Sequence, residues 1–154
     1  MKRQPARMLV FAIVPLVLAG CAPMHVFSHR VGNPDLSQLR SFYIIHNQED
    51  TGTLDKVVEA ELVKLGFQAT TGAVDQIPSN VDAAVTYEFQ WFWDMGTYLL
   101  MLRIHLRNPE TSFPYAMGES LRSSLARKAP EEMAREILVS IFNPAAKNET
   151  KISG

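Results

Sequence analysis

Two runs of alternating apolar and polar residues dominate the chain. In the first, Val85, Tyr87, Phe89, Trp91 and Trp93 alternate with Ala84, Thr86, Glu88, Gln90 and Phe92. In the second, Tyr98, Leu100, Leu102, Ile104 and Leu106 alternate with Leu99, Met101, Arg103, His105 and Arg107. Successive side chains of a strand point to opposite faces, so a period of two predicts two strands, each with one buried face. Asp94-Met95-Gly96-Thr97 lies between them as the turn of a hairpin. A symmetric turn sets the register: Trp93 opposite Tyr98, Trp91 opposite Leu100, Phe89 opposite Leu102, Tyr87 opposite Ile104 and Val85 opposite Leu106. The other face then pairs Phe92 with Leu99, Gln90 with Met101, Glu88 with Arg103 and Thr86 with His105. The Glu88–Arg103 pair brings opposite charges together, worth roughly 0.2–1 kcal/mol. Met95 strains this arrangement, because a side chain disfavours positive φ, and a bulged three-residue loop would break the alignment.

The remaining elements are shorter. Phe42-Tyr43-Ile44-Ile45 marks a strand over Ser41 to His46. Leu54, Val57, Val58, Glu61, Leu62 and Leu65 recur at helical spacing, apolar at all but Glu61, and predict a helix over Leu54 to Leu65. Thr53 is its expected N-cap and Gly66 its stop, with Asp55 and Lys64 complementing the helix dipole. A short strand over Phe67 to Thr71 follows. Tyr115 to Ser123 reads as a last strand, with Gly118 a candidate bulge. Pro130 opens a helix to about Phe142, with Met133, Ile137 and Ile141 on one stripe.

Strand, helix, four strands and helix predict an α+β fold. The expectation is a mostly antiparallel four- to five-stranded sheet with two helices packed on one face, covering the Trp91/Trp93 side. Trp91 and Trp93 are therefore expected in the core. Residues 39–143 are expected to form the domain. Residues 21–38 are expected to be a tether, broken by Pro23, Gly32, Asn33 and Pro34, with a short strand admissible over Val26 to Val31, and residues 144–154 a flexible tail.

The amino terminus changes the picture. Lys2, Arg3 and Arg7 precede an apolar run of about twelve residues from Met8 to Ala19, and Leu18-Ala19-Gly20-Cys21 follows. A spanning helix needs about 20 apolar residues, so this run is too short for one, while a basic start and short apolar stretch suit a secretory signal. The segment resembles a bacterial lipoprotein signal peptide with its lipobox. That resemblance implies cleavage before Cys21, with residues 1–20 as signal peptide, Leu18, Ala19 and Gly20 as the signal-peptidase recognition residues, and acylation of the Cys21 thiol and amino group. Cys21 is the single cysteine, so no intramolecular disulfide can form. Ala22 stands where an aspartate would retain such a protein at the inner membrane in enteric-type bacteria. The resemblance thus implies the periplasmic face of the outer membrane. In signal, size and element order the chain resembles the small α+β envelope lipoproteins of unknown function, and more distantly LptE, the lipoprotein that plugs the lipopolysaccharide translocon. No LptE-specific motif is present, and no residue role is carried over.

Charge and chemistry narrow the rest. Removing Lys2, Arg3 and Arg7 from 15 Lys+Arg leaves 12 against 16 Asp+Glu, a net charge of about −4 for the 134 residues after residue 20. A mildly acidic chain argues against nucleic acid as a partner. The sequence holds no G-x-S-x-G, no H-E-x-x-H and no Gly-rich phosphate loop, and no cysteine beyond Cys21 for a thiol nucleophile. No cofactor or metal is expected. His25 and His29 lie in the expected tether, His105 on the exposed strand face, and Glu59 and Glu61 read as helix-surface charges. Asp94 beside Trp93 resembles a carbohydrate site in residue types, against which stand core tryptophans and a turn aspartate. Phe92, Leu99 and Met101 share the face opposite Trp91 and form the candidate partner surface. The expected function is that of a non-enzymatic, lipid-anchored envelope lipoprotein, an accessory or scaffold that binds an envelope protein or glycolipid. The alternative is a binding module for lipid, lipopolysaccharide or peptidoglycan sugar.

Overall fold

The computed structural model describes residues 25–32 and 34–143. The strands are β1 (His25–Arg30), β2 (Ser41–Ile45), β3 (Gln68–Gly72), β4 (Ala83–Trp93), β5 (Thr97–Arg107) and β6 (Pro114–Leu121), and the helices α1 (Leu54–Lys64) and α2 (Pro130–Phe142). The fold is α+β, with all six strands in one sheet of order β1-β6-β5-β4-β2-β3. Four strands, β1-β6-β5-β4, are antiparallel, while β2 pairs parallel with both β4 and β3. The sheet is therefore larger and more mixed than expected. Strand β2 needs a crossover to pair in parallel with β3, and α1 provides it.

Part of the segment expected as a tether is built into the domain. Residues 25–30 form edge strand β1 against β6, and Leu36, in a short 3₁₀ turn, is buried in the core. Residues 28 and 30 tie β1 to α2, since Ser28 Oγ donates to Ser140 O at 2.8 Å and Arg30 to Ile141 O at 2.8 Å. Residues 1–24 and 144–154 lie outside the described residues, and with them the expected signal peptide and tail.

Both helices lie on one face. Met133, Ile137, Leu138 and Ile141 of α2 and Val58 and Leu62 of α1 meet Val85, Leu102, Ile104 and Leu106 of the sheet, all with 0% exposure. The space between layers is thus filled. Gly118 is no bulge: β6 runs through it in register, and a Cβ there would lie 2.7 Å from Ile137 Cγ2. Its missing side chain is what lets α2 approach β6.

The start of α1 is held by Asp50 and not by the Thr53 side chain, which makes no cap bond. Asp50 accepts from Leu54 N at 2.9 Å and from the Tyr87 hydroxyl at 2.9 Å, tying the helix to β4. Burial, with Asp50 beside it, pushes the Tyr87 phenol far above its ordinary pKa. Gly66 has the positive φ of 91° expected of a helix stop. Glu61 is not a surface charge. It is buried between the helices and accepts from Arg135 Nε at 2.8 Å and Lys64 Nζ at 2.6 Å. Burial pushes its carboxyl up, but those two cations outweigh it and hold the group below the ordinary carboxylate range.

Candidate functional site

Element lengths create the main surface feature. Strands β4 and β5 have 11 residues each, whereas α1 has 11 and α2 has 13. A strand rises about 3.3 Å per residue and a helix about 1.5 Å, so the hairpin is roughly 36 Å long under helices of roughly 16 and 20 Å. The hairpin must outrun its cover, and its tip does.

The register explains which side chains emerge. From Val85–Leu106 to Gln90–Met101 the pairing is the one predicted, including Glu88–Arg103. Between Gln90 and Trp91 it shifts by one, so that Trp91 faces Leu99, Phe92 faces Tyr98 and Trp93 faces Thr97. Leu100 is the extra residue, and a bulge of this kind reverses the faces beyond it. The loop is Asp94-Met95-Gly96, closed by Asp94 N donating to Gly96 O at 3.1 Å, with Met95 at φ 51° and Gly96 at φ 136°. Glycine suits such a backbone, and Met95 adopts it at full exposure.

The candidate partner surface is therefore divided. Phe92 is 49% exposed, Met101 half-buried, and Leu99, at 1%, belongs to the core. The bulge turned Leu99 inward. Trp91 and Trp93, expected in the core, are 43% and 72% exposed, and Met95 91%. The segment from Arg122 to Ala129 folds back against this tip. Arg122 N donates to Leu100 O at 2.8 Å, the Arg127 guanidinium stacks 4.5 Å from the Tyr98 ring centre and bonds Asp94 O, and Leu125 between them is 89% exposed. Sequence reasoning missed Leu125 and Arg127, which no pattern marks. The mismatch of strand and helix lengths bears on the projection of the tip, but which residues it bares depends on where the helices sit along the sheet.

Other candidates resolve into structural roles. On the face away from the helices, Arg103 bonds Glu88 at 2.6 Å and Glu119 at 2.5 and 2.8 Å, and His105 Nε2 lies 3.2 Å from Glu88. Burial pushes the His105 pKa down, against the pull of Glu88. His25 and His29 stand on one side of β1, roughly 13 Å apart at strand spacing, too far to share an ion. Among the described residues, no group of three or more His, Cys, Asp or Glu could hold a metal. Glu59 is paired with Lys56 at 2.9 Å. Asp94 lies 3.9 Å from Arg127. A cleft of about 490 Å³ opens at the far end of the domain, between Arg30, Arg40, Phe67 and Phe142. No described helix is long and apolar enough to cross a membrane. Leu18, Ala19, Gly20 and Cys21 lie outside the described residues.

Fold and site define a small mixed-sheet α+β domain with a protruding aromatic hairpin. No family model and no curated protein sequence matches the chain. Among solved structures it is similar to PelC from Paraburkholderia phytofirmans, solved as a dodecamer. The match has a TM-score of 0.56 at 12% identity for a single-substitution variant, over 78% of this chain and 97% of that one. A second PelC dodecamer from the same organism gives a TM-score of 0.55 at 12% identity, over 78% and 96%. A PDZ domain protein from Parabacteroides distasonis gives 0.47 at 13% identity, over 79% of this chain and 36% of that one. The PelC likeness is one of fold.

Proposed function

We propose that this chain is a lipid-anchored envelope lipoprotein without enzymatic activity, held at the periplasmic face of the outer membrane through Cys21. In this reading it serves as an accessory or scaffold that binds another envelope component through the hairpin tip. The observation that carries the reading is the tip itself: Trp91, Phe92, Trp93 and Met95 stay exposed on a domain whose core is otherwise filled. Contiguous exposed apolar residues mark contact surfaces, and aromatic residues are prominent where binding energy concentrates. The lipobox supplies the anchor: each buried CH₂ of an acyl chain adds about 0.8 kcal/mol, and two or more chains hold a protein stably on a bilayer.

One observation favours a second reading, a binding module for a sugar. Trp93 is 72% exposed beside Asp94, which pairs a stacking surface with a carboxylate for hydroxyls. Soluble peptidoglycan fragments or lipopolysaccharide would then shift tryptophan emission at stoichiometric concentration.

The test of the leading reading is made in the producing cells. Mass spectrometry of the processed chain should find an acylated Cys21, and Cys21→Ser should abolish lipid labelling and accumulate uncleaved precursor. An unmodified Cys21 in the processed wild type would refute the anchor. A photocrosslinker at position 95 should capture an envelope component, whereas crosslinks arising only from the opposite end of the domain would move the contact away from the tip.

A further inference from the structure

The described chain begins at His25, which pairs with Leu121; Leu121 pairs with Met101, and Met101 with Gln90. These four residues form one row across β1, β6, β5 and β4. The row lies at the end of the sheet from which the tip projects, since residues 91–97 extend beyond Gln90. The other end of β1 lies elsewhere: Arg30 pairs with Ala116, Ala116 with Leu106, and Leu106 with Val85. Strand β1 therefore begins at the tip end of the sheet.

Lengths make this specific. Cys21 precedes His25 by four residues, so its Cα can lie up to about 14 Å beyond the row. Trp93 is three residues beyond Gln90, roughly 10 Å past the same row. The site of acylation and the aromatic tip can thus reach one plane. The segment after β6 returns to this end as well, carrying Leu125. Of the ten large apolar residues that are exposed among the described ones, five (Trp91, Phe92, Trp93, Met95 and Leu125) share this end. The other five are dispersed over β1, the end of α1, the turn after β3 and the β5–β6 turn.

We propose that the hairpin tip is a second, non-covalent membrane contact, in which Trp91, Phe92, Trp93, Met95 and Leu125 insert into the headgroup region of the bilayer that holds the acyl chains. This rests on the lipid-anchor reading and names the component that the tip meets. Tryptophan favours the membrane–water interface because its ring is apolar and its N–H is polar. Two contacts at one end fix the orientation of the domain, whereas a single point of attachment leaves its tilt unset. The contact is not one with anionic headgroups, because Arg127 is engaged with Asp94 and Lys128 with Glu136.

The test exploits two facts of composition: Trp91 and Trp93 are the only tryptophans, and Cys21 is the only cysteine. The chain from Cys21 to Gly154 is coupled through Cys21 to a maleimide phospholipid in phosphatidylcholine vesicles. This places the tether correctly whether or not cells acylate the residue, so natural acylation, read by mass as above, is judged separately. On vesicles, tryptophan emission should shift to the blue, acrylamide quenching should fall by about threefold, and lipids brominated near the headgroup should quench, as expected for interfacial tryptophan. Adding phosphatidylglycerol should change none of these. The variant Trp93→Ser, Met95→Ser alters only strongly exposed positions and keeps the fold; in it, Trp91 should regain acrylamide access. Unchanged emission and full acrylamide access in the tethered wild type would overturn the proposal. So would a blue shift already present without vesicles and lost on dilution, which would mean that a second copy of the chain covers the tip.

Discussion

Leu99→Ala tests the bulge that shapes the candidate site. In the symmetric register Leu99 would lie on the face away from the helices, where truncation costs no more than about 0.5 kcal/mol. In the structure it is 1% exposed within the core cluster. The substitution deletes three carbons, and at about 0.8 kcal/mol per buried CH₂ the transfer part is about 2.4 kcal/mol. A residual cavity adds to that, and the total should fall near 3–4 kcal/mol, within the range of about 2–5 seen for such truncations. Trp91→Ala is the matched comparison. Fully buried, it would cost about 3–5 kcal/mol; at 43% exposure it should cost less than Leu99→Ala despite removing a larger side chain. The assay is urea unfolding of the mature chain followed by far-ultraviolet circular dichroism, since both tryptophans sit at the exposed tip and report poorly on the core. With a typical slope of about 2 kcal/mol per molar, Leu99→Ala should lower the midpoint by roughly 1.5–2 M at unchanged slope. The reverse ranking, with Leu99→Ala near neutral and Trp91→Ala severe, would refute the bulge and restore the symmetric register.

Two further outcomes follow from the packing. Gly118→Val should destabilise, because even the first added carbon would sit 2.7 Å from Ile137 Cγ2 and 3.3 Å from two carbons of Ile141, and overpacking typically costs about 1–3 kcal/mol; thermal melting should show a lowered midpoint, and an unchanged one would mean that α2 does not press on β6. Glu61, held below the ordinary carboxylate range, binds a proton more weakly folded than unfolded, so its stabilisation is present above the unfolded pKa of about 4.3 and is lost as pH falls through the lower folded value. Unfolding free energy measured between neutral and acid pH should thus decline below that range, and Glu61→Gln should flatten part of the decline while lowering stability at neutral pH.

Much of the secondary structure could be read from the chain. Period-two alternation placed β4 and β5, helical spacing placed α1 and α2, and Gly66 and Pro130 marked a stop and a start, because these signals are local. The register from Val85 to Gln90 was also legible, since two faces of one hairpin had to agree on it. What tertiary structure alone decided was of another kind. A short strand was admissible over Val26 to Val31, but nothing within His25 to Arg30 says that β1 pairs with β6, some ninety residues later. The parallel pairing of β2 with β4 and β3 depends on how α1 crosses the sheet. The bulge at Leu100 turned Leu99 to the helix side of β5, opposite Trp91, while Trp91 and Trp93 kept their side of β4 and stay exposed because helices of about 16 and 20 Å cannot cover strands of about 36 Å. Alternation says that a strand has an apolar side; only the packed neighbours determine how far along the strand that side stays dry.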